Sequence, residues 1–253
     1  MTRTIDLNAD LGEGFGPWTM GDDTGLIGLV TSVNVACGFH AGDPDVMART
    51  MAAAVAAGVG IGAHPGLPDL QGFGRRRLQI SPDEAANLVT YQVGAAQAMA
   101  RAAGGAVRHV KLHGALANMA AEDAGLAAAC FEGALAADPG LILLVIAGTA
   151  QETAAREIGA ALACEVFADR AYAEDGLLMD RRLPGAVLHD PVAVLARVQA
   201  MIEEGAVITA RGNRLPTRID TICLHGDGPG AMDRARHLRH GLEGAGILLR
   251  PFR

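Results

Sequence analysis

Strand-like and helix-like segments alternate along the whole chain, and this pattern constrains the fold more than any other feature. The helix that begins at Asp43-Pro44 and ends at Gly58 is typical of the helical segments. Because a β-α-β alternation builds a mostly parallel sheet, we expect an α/β fold. Short runs bounded by Gly, Asp or Asn predict strands at 4–9, 31–37, 58–63, 107–113, 141–147, 164–168, 206–209 and 221–225.

Length and composition limit the architecture further. The chain has 253 residues, of which 50% are hydrophobic, so it can bury one large core. Seven or eight strand–helix units in this length favour a closed (β/α) barrel, with an open doubly wound sheet as the alternative. No linker or repeat interrupts the pattern, and we expect a single domain over 1–253.

Several classes of partner are not expected. The formal net charge is −7 and no basic block occurs, which argues against nucleic-acid binding. There is no apolar run of about 18 residues, so we expect no membrane span. The amino terminus shows no secretory signal pattern, and the four cysteines show no CxxC spacing, so we expect free thiols and a cytoplasmic protein.

Two predicted strands each place a row of ionisable or polar side chains on one face. Side chains alternate between the two faces of a strand, so every second residue shares a face. Because the two strands lie about a hundred residues apart, a shared polar pocket explains both rows best. The rows are Asp6, Asn8 and Asp10 in the first strand, and His109, Lys111 and His113 in the fourth.

The carboxyl ends of the predicted strands carry most of the distinctive polar residues, and in (β/α) barrels this end holds the active site. Asp10 and Glu13 flank Gly12 there, and they are candidates for a general base or for ligands of a divalent cation. Asp6 lies deeper in its strand, so we expect it to be a buried, paired carboxylate.

Four histidines follow strands at this same rim: His40, His64, His113 and His225. One histidine at such a position is often structural, but four on one rim favour a functional site. Asp10 with two of them would suit several divalent metals. However, neither HxxxH nor HExxH spacing occurs, so we assign no metal ligands and expect no tightly bound cofactor.

The cationic candidates are few. Lys111 is the only lysine among 21 Lys and Arg residues, and we expect it to bind a carboxylate or phosphate, with a buried salt bridge as the alternative. Arg75 and Arg76 follow a Gly-flanked segment that could clamp an anion. The loop after the sixth predicted barrel strand adds the candidates Asp169, Arg170, Tyr172 and Asp175.

The segment His225-Gly226-Asp227-Gly228-Pro229 offers backbone amides to an anion. No P-loop or GxGxxG motif occurs, so the spacing alone does not indicate a nucleotide site.

Six segments rich in Gly, His and Asp follow one another along essentially all of the chain: DLNADLGEGFG, SVNVACGFHAGDP, GAHPGLPDLQGFGRR, VKLHGAL, EVFADRAY and HGD. In order and approximate spacing, these segments resemble the LamB/YcsF family of 5-oxoprolinase A subunits. This chain has Ala117 where the family pattern has an aromatic residue, so one pocket wall differs.

The resemblance implies a (β/α) barrel of the glycoside hydrolase/deacetylase type, often with seven strands. It implies ATP-dependent hydrolysis of 5-oxo-L-proline to L-glutamate, with Mg²⁺-ATP as co-substrate and with two further subunits, B and C. We expect catalytic roles for Asp10, Glu13, His40, Lys111 and His113. We expect substrate contacts from Asn8, Asn34, His64, Asp169, Arg170, His225 and Asp227.

Two other functions fit the same polar pocket. A metal-dependent carbohydrate deacetylase would use Asp10 with two rim histidines and no ATP. A non-catalytic subunit that binds small acids would leave the chemistry to a partner.

Overall fold

Seven parallel strands close into a barrel in the computed structural model, which describes residues 3–224 and 230–252. The last barrel strand in the sequence pairs both with the first barrel strand and with the one that precedes it in the barrel, so the barrel has no open edge. The predicted (β/α) barrel is therefore confirmed, and the open doubly wound sheet is excluded. The barrel strands are β1 (Thr4–Leu11), β2 (Ser32–Ala36), β3 (Gly60–His64), β4 (Val107–Lys111), β5 (Ile142–Ile146), β6 (Leu162–Phe167) and β9 (Thr221–Leu224).

The predicted strand at 206–209 does not join the barrel. Strand β7 (Ala206–Ile208) pairs instead with β8 (Arg214–Pro216) in a short antiparallel hairpin. Two strands joined by a few residues pair antiparallel, whereas a parallel neighbour needs a crossover. A further short strand, β10 (Leu248–Leu249), pairs with the beginning of β1.

The helices begin and end at residues whose side chains or backbone suit helix termini. The Asp43 side chain accepts from the amides of the first turn of α2, and Gly58 ends this helix with a φ of 67°. Ser81 and Glu84 form a capping box at the beginning of α3. The helices are α1 (Asp23–Ile27), α2 (Pro44–Ala57), α3 (Pro82–Ala102), α4 (Gly114–Glu122), α5 (Ala124–Ala137), α6 (Ala150–Ile158), α7 (Pro191–Glu204) and α8 (Ala231–Gly244).

The two faces of the barrel strands have different chemistry. In β1, the aliphatic residues Leu7 and Ala9 are fully buried in the hydrophobic core. The alternate residues Asp6 and Asn8 are also buried, but they hydrogen-bond to polar side chains of the neighbouring strands β2 and β9 and, across the lumen, of β6. The strand pattern therefore places a polar network inside the barrel and an aliphatic core around it.

Within the described part of the chain, no helix has the length and apolar composition needed to cross a membrane.

Candidate active site

A cavity of about 760 Å³ lies at the carboxyl end of the barrel. Its lining includes Asp10 from β1, His64 from β3 and Lys111 from β4, together with Glu13 and His113 from the loops that follow β1 and β4. The strand-end candidates therefore meet at one cavity, although they lie far apart in the sequence.

Asp6 lies below this cavity and serves the barrel itself. Its carboxylate accepts hydrogen bonds from the hydroxyls of Thr31 and Ser32, each at 2.6 Å, and from that of Thr221. Burial raises the pKa of Asp6, although the three hydroxyl donors and the charge of Lys111 oppose that effect. Asp6 is buried as expected, and hydroxyl groups rather than a cation satisfy its oxygens.

A layer of amide groups separates Asp6 from the cavity. The Asn34 Nδ2 donates to Asn8 Oδ1 at 2.8 Å and to Asp10 Oδ1 at 2.9 Å. Since both hydrogens of this amide are used, Asn34 Oδ1 is the acceptor for His109 Nε2 at 2.8 Å. Asn8 and Asn34 are fully buried and do not line the cavity, and Asn34 holds Asp10 in place. Direct contact between these two amides and a substrate stays a prediction.

Lys111 lies between two carboxylates. Its Nζ is 2.9 Å from Asp10 Oδ1 and 3.0 Å from Glu165 Oε1, and it also contacts Cys223 Sγ at 3.0 Å. Burial alone lowers the pKa of Lys111, but the charges of Asp10 and Glu165 raise it well above the usual value. The geometry therefore favours the buried salt bridge, and the expected direct contact between Lys111 and an anionic substrate stays a prediction.

Three histidines and one carboxylate converge beside Asp10. Glu13, His40, His64 and His113 each offer a ligand atom, and these atoms lie within 4.8 Å of one another. Burial and the nearby rings of His113 and His64 hold the pKa of His40 well below its usual value. Burial and the ring of His64 lower the pKa of His113 in the same way. Such neutral imidazoles next to a carboxylate can ligate a metal ion or accept a proton.

The loop that follows β3 packs over this histidine cluster. Phe73 adopts a left-handed conformation with a φ of 54°, and its carbonyl accepts from His113 Nε2 at 2.8 Å. A Cβ on Gly74 would lie 2.6 Å from the Cβ of His40, so the close approach requires glycine. Asp69 fixes the loop by accepting from Arg76 Nε at 2.8 Å.

Arginines dominate the charge of the cavity wall. They come from the loop after β3 and from the long loop after β6, so two separate segments supply cations to one space. A wall of this composition suits a substrate that carries negative charge. The arginines that line the cavity are Arg75, Arg76, Arg77, Arg170, Arg181 and Arg182.

The other candidates in the loop after β6 have different positions. Arg170 lines the cavity and donates to the carbonyl of Met179 at 2.6 Å, while burial lowers its pKa to about 10. Asp169 is buried but does not line the cavity. Tyr172 is fully buried and accepts from the Phe167 amide, Asp175 is exposed, and neither of them lines the cavity.

The last two predicted site residues are not described by the structure, and one residue of the site was not predicted. His225 and Asp227 lie outside the described residues. Sequence reasoning missed Glu165, whose carboxylate accepts from Asn8 Nδ2 at 3.0 Å as well as from Lys111. The available signal was a charged residue within the predicted strand at 164–168, because a strand of a buried parallel sheet is normally a near-continuous apolar run.

Comparison with known proteins assigns the family. The profile of the LamB/YcsF family matches residues 5–253. This chain belongs to the LamB/YcsF family. The LamB/YcsF chain is 59% identical over 252 residues to the A subunit of 5-oxoprolinase from Ruegeria pomeroyi, covering 100% of this chain and 99% of that protein. It is 52% identical over 249 residues to the A subunit of 5-oxoprolinase from Azorhizobium caulinodans, covering 98% of each.

Solved structures agree with this assignment. A lactam utilization protein from Thermus thermophilus superimposes on this LamB/YcsF chain with a TM-score of 0.92 and 43% identity, covering 98% of this chain and 100% of that one. A family 4 carbohydrate esterase from Streptomyces lividans superimposes with a TM-score of 0.50 and 11% identity, covering 98% of this chain and 91% of that one. At that identity the esterase shows a shared barrel type and no more.

Proposed function

We propose that this chain is the A subunit of an ATP-dependent 5-oxoprolinase, which hydrolyses 5-oxo-L-proline to L-glutamate while ATP is converted to ADP and phosphate. The observation that carries the proposal is full-length identity of 59% and 52% to two proteins that bear the name of the 5-oxoprolinase A subunit. The cavity supports it, because a carboxylate, neutral imidazoles and a cationic wall are what hydrolysis of an anionic lactam needs.

The chemistry explains why ATP takes part. A lactam carbonyl is a poor electrophile, and phosphorylation of its oxygen makes the ring carbon easier to attack. Water then adds to that carbon, the ring nitrogen takes up a proton, and the carbon–nitrogen bond breaks to leave γ-glutamyl phosphate, an acyl phosphate. A second water releases phosphate and L-glutamate.

Asp10 is the residue best placed to accept the proton of the attacking water. Its carboxylate lines the cavity and is oriented by Lys111 at 2.9 Å and by Asn34 at 2.9 Å. A general base must be held in one position and must reach the water. The contacts with Lys111 and Asn34 support the first condition, and the place of Asp10 in the cavity lining supports the second. The substrate carboxylate and the phosphoryl group would bind to the arginine wall, with Arg170 the most deeply buried of its members.

The relatives are named as one subunit of 5-oxoprolinase, which implies a complex of several chains, and we propose that the partners are the B and C subunits. Mg²⁺-ATP is then a co-substrate of the whole complex. We also propose a cytoplasmic location, where ATP is available.

The experiment is a reconstitution. L-Glutamate release from 5-oxo-L-proline is measured with Mg²⁺-ATP for this chain alone, for the B and C subunits alone, and for all three together. We expect turnover only in the complete mixture. Absence of glutamate from that mixture would refute the function, whereas rapid ATP-dependent turnover by this chain alone would refute the partner requirement.

A further inference from the structure

The hydrogen bonds of His64 fix which of its nitrogens carries a proton. His64 Nδ1 lies 2.8 Å from the backbone carbonyl oxygen of Lys111. A carbonyl oxygen only accepts, so Nδ1 carries the hydrogen. In the neutral ring, Nε2 therefore presents its lone pair toward the cavity.

His113 is fixed in the same way from another direction. Its Nε2 lies 2.8 Å from the Phe73 carbonyl oxygen, so Nε2 carries the hydrogen and Nδ1 holds the lone pair. That Nδ1 lies 3.0 Å from His64 Nε2. His64 Nε2 also lies 3.2 Å from Asp10 Oδ2. With both rings neutral, no hydrogen lies among these three electron-rich atoms, and they repel one another unless a proton or a metal cation lies between them.

Two further donors surround these nitrogens. Glu13 Oε1 lies 3.8 Å from His113 Nδ1 and 3.9 Å from His40 Nε2. His40 is fully buried, and within the described part of the chain neither of its nitrogens has a hydrogen-bond partner. A buried imidazole without partners is costly, so its presence here points to a group that it binds.

We propose that Glu13, His64 and His113 bind one divalent transition-metal ion, with zinc as the first candidate and His40 as a fourth donor. Nitrogen and carboxylate oxygen are the ligands that zinc takes, and tetrahedral bonds of about 2.0–2.1 Å place ligand atoms roughly 3.3 Å apart. The observed separations lie on both sides of that value. They are 3.0 Å between His64 Nε2 and His113 Nδ1, 3.8 Å between Glu13 Oε1 and His113 Nδ1, and 3.9 Å between Glu13 Oε1 and His40 Nε2.

The surroundings match those of metal-binding histidines. A metal-ligating histidine commonly donates its second nitrogen to a carbonyl or carboxylate, as His64 and His113 both do. Glu13, His64 and His113 also line the cavity, so an ion there has a side open to substrate or water. A bound ion of this kind would polarise a carbonyl or phosphoryl oxygen or acidify a water molecule.

The position of His40 indicates that it is a weaker metal donor than His113. Its ring stacks on that of His113, with centroids 3.7 Å apart and planes 7° apart. The nitrogen lone pair of an imidazole lies in the plane of its ring. Because the two rings are parallel and stacked, a metal ion in the plane of His113 lies outside the plane of His40. We therefore expect loss of His40 to weaken metal binding less than loss of His113.

The test measures metal binding directly. The full-length chain is stripped with a chelator and titrated with Zn²⁺ by calorimetry, and with Co²⁺ by visible absorption. We expect one ion per chain, a tetrahedral or five-coordinate Co²⁺ spectrum, and a higher melting temperature with Zn²⁺. His64→Ala and His113→Ala should each weaken Zn²⁺ binding at least about 100-fold, more than the loss of a residue that only hydrogen-bonds to a ligand usually causes.

Two controls keep this test decisive. His189→Ala removes an exposed histidine and should bind Zn²⁺ like the wild type. Glu13→Gln keeps the shape of the side chain, so weaker binding with an unchanged circular dichroism spectrum excludes misfolding as the cause. Stoichiometric binding that survives both His64→Ala and His113→Ala would overturn the proposal. The proposal would also be overturned by a wild-type chain that binds neither Zn²⁺ nor Co²⁺ and in which ¹⁵N NMR shows a protonated His64 donating to His113.

Discussion

Lys111 contributes to the site by holding two buried carboxylates close together. Asp10 and Glu165 each lie within 3.0 Å of its ammonium group. Removing the cation leaves both carboxylates in a poorly solvated space, where their repulsion is weakly screened. The stability of the barrel therefore depends on this one lysine.

Lys111→Met should lower the free energy of unfolding by roughly 3–5 kcal/mol, the usual result of removing one partner from a buried ion pair. Urea denaturation followed by circular dichroism measures the change. The double variant Lys111→Met/Glu165→Gln should recover part of the loss, because it removes one of the two stranded charges. A single variant with the wild-type urea midpoint would contradict this role.

The sequence predicted which side chains share a face of a strand, but it did not predict every ion pair that these side chains form. Period-2 alternation identified Asp10 and Lys111 as neighbours across the lumen, and they are in contact. It did not identify Glu165 as the second partner, because a charged residue within a strand gives no sign of which lumen side chain it pairs with. The metal site that we propose at Glu13, His64 and His113 has no ligand spacing in the sequence, because its donors follow different strands.

At the scale of elements, close packing between helices α3 and α5 depends on a glycine. A Cβ on Gly133 in α5 would overlap the carbonyl oxygen of Ala86 in α3, and Thr90 donates to the Gly133 carbonyl at 2.7 Å. Gly94, also in α3, has no atom within 4 Å of the position that a Cβ would take.

These two glycines should respond oppositely to the same substitution. Gly133→Ala must push the helices apart and should cost roughly 1–3 kcal/mol of stability. Gly94→Ala should raise stability by roughly 0.5–1 kcal/mol, because alanine loses less backbone entropy in a helix. Thermal unfolding of both variants measures the changes, and equal effects of the same sign would show that this helix contact is not tight.

Helix boundaries were predictable from local chemistry, whereas the hairpin was not. Asp43 caps α2 where the sequence predicts the beginning of a helix, since a cap depends on a few adjacent residues. The segment at 206–209 has a strand pattern, but its place outside the barrel depends on pairing with β8. Pairing partners that follow a tight turn compete with barrel strands, and local propensity does not decide between them.

At the scale of the whole molecule, the distribution of charge matters more than its sum. The formal net charge is −7, yet arginines dominate the wall of the cavity. A cationic cleft in an acidic protein concentrates small anions at one place and leaves the rest of the surface repulsive to them.

Arg75→Gln should therefore raise the KM for 5-oxo-L-proline in the reconstituted complex by roughly 10-fold or more, the loss expected for one hydrogen bond to a charged group. The matched control is Arg101→Gln, which removes an exposed arginine at the end of α3 and should leave KM unchanged. Equal KM values for wild type and Arg75→Gln would remove this arginine from the substrate site.

The most direct test of the proposed hydrolytic site is the rate of L-glutamate release by the complete complex carrying Asp10→Asn. Asparagine keeps the size of the side chain but cannot take a proton from water, so the rate should fall by about 10²–10⁴-fold. Asp175→Asn, at an exposed position, is the control and should release glutamate at the wild-type rate. A folded Asp10→Asn complex that releases glutamate as fast as the wild type would contradict the assignment of catalysis to this barrel.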